Sequence, residues 1–303
     1  MSKFADRLQS NLDAIKTHTW LGKEYSNLSL LALLNAADGR YSDPLRLGRA
    51  YSQVYSQHSE DGVLAEIFHR IGIRYRVFLE IGIEDGRECT TRLLLEQGWH
   101  GIWIEGDSEK AERARMLFRR YIQSGALKIV SAMVTTSNIN ELLDDAGAPP
   151  LFDLVSIDVD QNTSHIWRVL NRRSRVVCVE YNASLPPSYP IEVPYDPIAV
   201  WDGSNWFGAG LKALELIGLN KEMYLVGCDP IGVNAYFVAA SDVGRKFRKP
   251  FTAENHYESP KYNLITKIGH GPSQQAREWV TIERYDKLTS ATKRSWFRRL
   301  LGW

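Results

Sequence analysis

Cysteine is scarce in this 303-residue chain: Cys89, Cys178 and Cys228 are far apart and match no metal-ligand spacing. That excludes a disulfide framework and a thiolate metal centre. Two of the three sit in apolar runs, where small buried thiols are common, so all three are expected as reduced core residues of a cytosolic protein. Long apolar runs are missing too, since none approaches the roughly 18 residues needed to span a bilayer. The opening MSKFADRLQSNLDAIK lacks an apolar h-region and a cleavage site, so neither secretion nor membrane insertion is expected. Net charge is almost absent: 37 Lys and Arg stand against 36 Asp and Glu, for a formal +1. No whole-surface field gathers nucleic acid, and a nucleic-acid partner is not expected without a local patch. What remains, 44% hydrophobic and 24% charged, is an ordinary globular composition with room for one large domain or two small ones. No internal repeat is visible.

Residues 1–75 read as a helical extension. Phe4, Leu8, Leu12 and Ile15 recur at helical spacing, LSLLALLNAADG ends on Gly39, and Ser59 is placed to cap a helix that carries Val63, Leu64, Ile67 and Phe68 and stops at Gly72. From Val77 the pattern changes to short apolar runs alternating with helical segments. VFLEIGI, GIWIEGD, LKIVSA, FDLVSID and RVVCVEYN are five strands of the fully buried type. The helices between them are expected near 90–97, 109–124, 139–145 and 164–170. Such alternation predicts an α/β fold, a doubly wound Rossmann-like parallel sheet covered on both faces. A helix near 211–219 and then MYLVGCDPIGVNAYFVAA, two runs around a Cys-Asp-Pro-Ile-Gly turn, predict an antiparallel hairpin closing the sheet.

Ligands of open α/β sheets sit outside the carboxyl ends of the strands, so FLEIGIEDGRECTTR is the first loop to consider. It contains Glu80, Gly82, Glu84 and Gly86. Its two glycines let the backbone turn tightly, but a dinucleotide fingerprint needs three, and Glu84 stands where a pyrophosphate would approach. An acidic loop repels phosphate and favours a ligand with positive charge, such as S-adenosyl-L-methionine (SAM). Glu105, nineteen residues after Gly86 at the end of the second strand, is placed to accept hydrogen bonds from a ribose diol. The alternative for this loop is a plain helix-sheet turn in which the glycines serve geometry and the acids cap the next helix.

Loop, strand order and closing hairpin together resemble the class I SAM-dependent methyltransferases over roughly residues 56–240. The segments SQHSEDGVLAEIF, LLLEQGWHGIWIE, FDLVSIDVDQNTSHIW and VVCVEYNA resemble the bacterial FkbM-like sugar and polysaccharide O-methyltransferases. Two departures stand out. Glu84 replaces the middle glycine of the family's loop, and Gln161 and Thr163 replace a glycine and an acid after the fourth strand. The resemblance implies SAM as cofactor and methyl transfer to a hydroxyl of a sugar or glycan. Ser131, after the third strand, would then lie near the adenine. Gln57, with Glu60 and Asp61, would fold over the methionine end of the cofactor, or else serve helix capping.

Asp158 and Asp160 end the fourth strand, and Glu180 and Asn182 end the fifth, so hard oxygen ligands converge at the same sheet edge. A divalent cation such as Mg2+ held by Asp158, Glu180 and Asn182 would lower the pKa of an acceptor alcohol and align it. Without metal, Asp158 or His165 is the candidate general base. Capping of the next helix by Asp160 and pairing of Glu180 with a buried arginine are the structural alternatives. The Pro-rich, aromatic segment 184–210 is too long for an ordinary connection and is expected as a lid. With Asp160 and Tyr181, its Trp201, Asn205 and Trp206 are candidates to line an acceptor pocket, or simply to pack the lid.

The segment 241–303 is expected as a C-terminal extension. Its end, KLTSATKRSWFRRLLGW, carries five cations and no acid beside Trp296, Phe297, Leu300, Leu301 and Trp303. Three partners suit it: its own domain or a second subunit in a homo-oligomer, an anionic membrane surface, or RNA. Two further functional readings stay open. One is a non-catalytic scaffold of a glycan-assembly complex on the same fold. The other is a nucleotide-sugar-modifying enzyme, disfavoured by the acidic loop.

Overall fold

The computed structural model describes residues 39–261, 272–275 and 277–282, with scattered positions between Arg7 and Ala36, all of which are helical. The basic end 287–303 lies outside the described residues, as does most of the expected helix at 28–39. The framework is a seven-stranded sheet. Its strands are β1 (Val77–Ile81), β2 (His100–Glu105), β3 (Leu127–Ser131), β4 (Leu151–Ile157), β5 (Arg173–Glu180), β7 (Met223–Cys228) and β8 (Asn234–Ala239). They lie in the order β3-β2-β1-β4-β5-β8-β7, and β8 alone runs antiparallel to its neighbours. The expected doubly wound sheet with its closing hairpin is therefore present.

Period-two alternation sends successive strand residues to opposite faces, and both faces are dry. Leu79, Ile81, Val155, Val177 and Val179 join one hydrophobic cluster, while Phe78, Leu154, Val176 and Cys178 join the other. The first face is covered by α5 (Ile139–Asp145), α6 (Thr163–Val169) and α7 (Leu211–Asn220). The second is covered by α1 (Glu60–Ile71), α2 (Arg92–Glu96), α3 (Ser108–Leu117) and α4 (Arg119–Gln123). Helix α1 thus belongs to the core of the sheet domain, because Val63, Leu64, Ile67 and Phe68 pack with Phe78. The single helix expected over 109–124 is two helices that meet at Phe118. Its ring stands edge-on to Trp103 at 4.8 Å, so packing against the sheet decides where the helix breaks. All three thiols are buried and unpaired.

Local charges are satisfied inside the fold. Arg175, at the start of β5, is 2% exposed and bridges Asp153 (2.8 Å) and Asp242 (3.1 Å) while donating to the carbonyls of Gly72 and Ile71. Ser59 flanks α1 but makes no cap bond; Asp61 instead accepts the N–H groups of Val54, Tyr55 and Ser56, and so shapes the preceding loop. The segment 184–210 carries β6 (Ile191–Glu192), which pairs antiparallel with β9 (Val280–Thr281). Short helices α8 (Ala240–Val243) and α9 (Ala253–His256) follow the sheet. Among the described residues no helix is long and apolar enough to cross a membrane.

Candidate active site

The loop after β1 is held by its neighbours' backbones. Gly82 has φ +84°, and a Cβ there would stand 1.7 Å from the carbonyl oxygen of Asp158, so only glycine lets the β1 loop touch the end of β4. Gly86 has φ +79° and leaves room for the Trp103 and Phe118 rings. Glu105 closes the loop from β2: one carboxylate oxygen accepts the N–H groups of Ile83 (3.1 Å) and Glu84 (2.8 Å), the other that of Asp107 (2.9 Å). That second oxygen holds a single bond and keeps capacity for a hydroxyl donor. Glu80 is buried, and its carboxylate accepts from the N–H groups of Thr90 and Thr91 and from the Thr91 hydroxyl. It therefore organises the start of α2. These bonds account for a structural role of Glu80, whose other carboxylate oxygen, like that of Glu105, accepts one bond.

Three carboxylates converge where β4 and β5 end. Asp158, Asp160 and Glu180 each offer an oxygen within 4.8 Å of the others, and none forms an ion pair among the described residues. Asp158 has open surface but lies in a recess walled by protein. Loss of solvation, then the charge of Asp160, push its carboxyl up to about 7. Burial, and then Asp158, raise Glu180 well above the ordinary range; burial, and then Glu84, raise Asp160. Three such groups cannot all stay ionised without a cation or a proton among them. Glu60, at the start of α1, adds a further buried carboxylate nearby. It is bound by the Asn234 amide (2.7 Å), and Asn234 is the ladder partner of Glu180.

Glu84 and Asp160, one in each of the adjoining loops, are non-glycine residues with φ +55° and +50°. Each costs roughly 1–2 kcal/mol relative to an ordinary backbone, strain that the surrounding packing must hold. Lys110 reaches across to Glu84 at 2.5 Å. In the turn carrying Asp160, the side-chain oxygens of Gln161 and Asn162 are buried with no hydrogen-bond partner among the described residues.

Several expected site residues lie elsewhere. His165 is buried. Its Nε2–H donates to the Val193 carbonyl (2.8 Å) and its Nδ1 accepts from Arg168 (3.2 Å), so both ring nitrogens are occupied and it is no general base in this arrangement. Burial also lowers its pKa. Asn182 donates its amide N–H groups to the carbonyls of Asn205 and Phe207, and its side-chain oxygen accepts from the Ser184 N–H. It is a turn residue, and the carboxylates close enough to share a cation are Asp158, Asp160 and Glu180. Tyr181 is 1% exposed with its hydroxyl on the Glu258 carbonyl, which removes it from an acceptor pocket. Trp201 donates to Ser204 and packs edge-on to Phe207. Trp206 donates to Glu278 and lies under the Arg277 guanidinium. Asn205 contributes its main-chain carbonyl to Asn182. Ser131 is exposed as the ladder partner of Glu105, and Gln57 is exposed with its carbonyl on the Gln53 amide.

The segment 184–210 is tied to the helix that follows the acids. Arg168 grips the fully buried Glu192 through both carboxylate oxygens (2.8 and 3.0 Å), His165 holds Val193, and the Asn162 amide holds Asp196. Sequence reasoning passed over Arg168. Its only signal was its position one turn after His165 on α6, which says nothing of a partner in a distant segment.

No protein-family model matches the chain, and no curated protein sequence matches it. Solved structures overlap it in part. The methyltransferase domain of METTL16 is 13% identical over 59% of this chain and 66% of its own, at a TM-score of 0.37. The N-terminal domain of EvdMO1 with S-adenosylhomocysteine bound is 15% identical over 61% and 80%, at 0.38. The magnesium protoporphyrin IX methyltransferase ChlM of Synechocystis PCC 6803 with bound SAM is 10% identical over 59% and 77%, at 0.40. This chain therefore spans about two thirds of the METTL16 domain.

Proposed function

We propose that the chain is a SAM-dependent methyltransferase whose acceptor is a hydroxyl of a sugar or glycan. The observation that carries this reading is the recess of Asp158, Asp160 and Glu180, unpaired with any Lys or Arg among the described residues, beside a glycine loop closed by Glu105. The donor chemistry fits a positively charged ligand. A sulfonium and an ammonium group relieve the mutual repulsion of the carboxylates, and the free capacity of Glu105 suits a ribose hydroxyl. When bound, SAM supplies an electrophilic methyl group. Asp158, with a pKa near 7, takes up the proton that the acceptor hydroxyl must lose, a driving force matched to neutral pH. The buried oxygens of Gln161 and Asn162 offer acceptors for further hydroxyl donors of a polyol.

The same three carboxylates are a hard-oxygen set suited to Mg2+, and a divalent ion there would lower the pKa of the acceptor hydroxyl. Calorimetry with SAM and S-adenosylhomocysteine, with and without Mg2+, on the wild type and on Glu105→Ala tests the cofactor. Micromolar binding weakened in the variant is expected. Absence of binding under every condition sinks the reading. Formation of S-adenosylhomocysteine stimulated by hydroxylated sugars tests the acceptor, and cofactor binding without any turnover would favour the scaffold reading.

A further inference from the structure

The opposite, amino-terminal edge of the sheet contains a cleft of ≈ 390 Å³ where β4, β5 and β7 begin and β8 ends. Its lining is rich in cations: Arg74, Arg172, Arg173, Arg175 and Lys221, against the acids Glu222 and Asp242. Most of these charges are spoken for. Asp242 is shared by Arg74 and Arg175, Arg175 also takes Asp153, and Arg172 pairs with Asp144. Two cations remain. Arg173 and Lys221 form no ion pair among the described residues, although the exposed Glu222 stands on the same lining. Lys221 gives one hydrogen bond, to the Leu170 carbonyl at 2.8 Å, and keeps two donors. Its burial and the Arg168 guanidinium lower it to about 8, the condition of an ammonium group short of negative charge. The Nε of Arg172 is buried with no partner among the described residues.

We propose that this cleft binds a small phosphate-bearing molecule. A guanidinium fork and an ammonium point charge are complementary partners for phosphate oxygens, and on this lining the exposed Arg173 and the half-buried Lys221 keep donors that no acceptor among the described residues uses. The volume exceeds that of one phosphate group and falls in the range of small-molecule sites, and the buried Trp167 and Met223 give the rest of the ligand an apolar wall. The site lies at the other edge of the sheet from the carboxylate recess, and its charge has the opposite sign. One chain thereby separates a cation-seeking site from an anion-seeking one.

The test is titration with pyrophosphate and inorganic phosphate at ionic strength matched with chloride, read by calorimetry and by thermal melting of the full chain. Citrate serves as the carboxylate arm. Saturable pyrophosphate binding is expected, with a raised melting temperature. Arg173→Ala and Lys221→Met each lose roughly tenfold in affinity, the scale of a charge-assisted hydrogen bond. Lys221→Arg, which keeps the charge, retains most of the binding and guards against a variant that fails only because it is misfolded. The proposal is overturned by no binding beyond the chloride control, by unchanged binding in folded Arg173→Ala and Lys221→Met, or by citrate binding as tightly as pyrophosphate.

Discussion

Replacing Gly82 with alanine should separate backbone strain from steric conflict at the centre of the site. Any L residue at φ +84° costs roughly 1–2 kcal/mol. Alanine at Gly98, with φ +81° and nothing within 4 Å of its Cβ, suffers that strain alone and is the internal control. At Gly82 the new methyl would stand 1.7 Å from the Asp158 carbonyl oxygen, a main-chain atom that cannot rotate away. The β1 loop and the end of β4 must part by more than 1 Å, judged against an ordinary contact of about 3.5–4 Å. Parting them strains the bonds from Asp158 N–H to the Ile81 carbonyl and from Gly82 N–H to the Ile104 carbonyl, both 2.9 Å. Overpacking of this kind costs about 1–3 kcal/mol and each lost hydrogen bond about 1, so Gly82→Ala should lose roughly 3–5 kcal/mol beyond the backbone strain it shares with Gly98→Ala. Urea denaturation of the wild type and the two variants measures the difference. A Gly82→Ala penalty no greater than that of Gly98→Ala would refute the claim that β1 and β4 are locked through this glycine.

Other consequences are as direct. Removing Arg175 leaves Asp153 and Asp242 buried beside a missing cation, and Arg175→Ala should cost about 3–5 kcal/mol in a denaturation experiment. His256 is 2% exposed and held down to about 4 by burial and by Arg46 and Arg40. Its unfolded form takes a proton near pH 6.5 that the folded form refuses, so its contribution is full above pH 6.5 and lost as pH falls toward 4, by up to about 3 kcal/mol. Melting at pH 7 and pH 5 should show a smaller acid loss in His256→Gln than in the wild type. With Asp158 raised to about 7, divalent-cation binding should release a proton and tighten from pH 6 to pH 8, which Mn2+ titration in two buffers of unlike ionisation enthalpy detects. The raised carboxyl costs stability progressively above its unfolded pKa, so Asp158→Asn should raise the melting temperature at pH 8 while weakening cation binding. Arg168→Ala strips Glu192 of its bidentate partner and should speed proteolytic cutting of the 194–203 segment several-fold, without loss of the sheet's far-UV signal.

The sheet was legible because each of its parallel strands is a short run of Val, Ile, Leu or Phe between helical segments, and burial on both faces leaves little else for such runs to do. Asp158 and Glu180 were legible for the same reason, as polar residues that end apolar runs at one edge. What the sequence could not show is which side chains are consumed by the protein itself. His165 and Asn182 look like chemistry on paper, yet His165 is held between Val193 and Arg168, and Asn182 by Ser184, Asn205 and Phe207, contacts with the segment 184–210 that no local pattern encodes. Glu80 and Glu105 read alike as strand acids. Each carboxylate accepts three hydrogen bonds; Glu80 takes all of its own from the start of α2 and is the more deeply buried, while Glu105 is bound by the loop after β1 and by Asp107. The break in the helix after Leu117 arises from Phe118 meeting Trp103, a contact between distant residues that overrides a continuous local preference.

The reversed strand also bears on how the chain must be made. β8 fits between β5 and β7, so on a nascent chain the edge of β5, with Val176, Val177 and Val179, stays without a hydrogen-bonding neighbour until Asn234–Ala239 has emerged. An open edge of that composition is a template for another chain. Premature termination before Asn234 would therefore yield a sticky fragment with most of a sheet and no seal, and synthesis of this protein is safest where that interval is kept short or chaperoned.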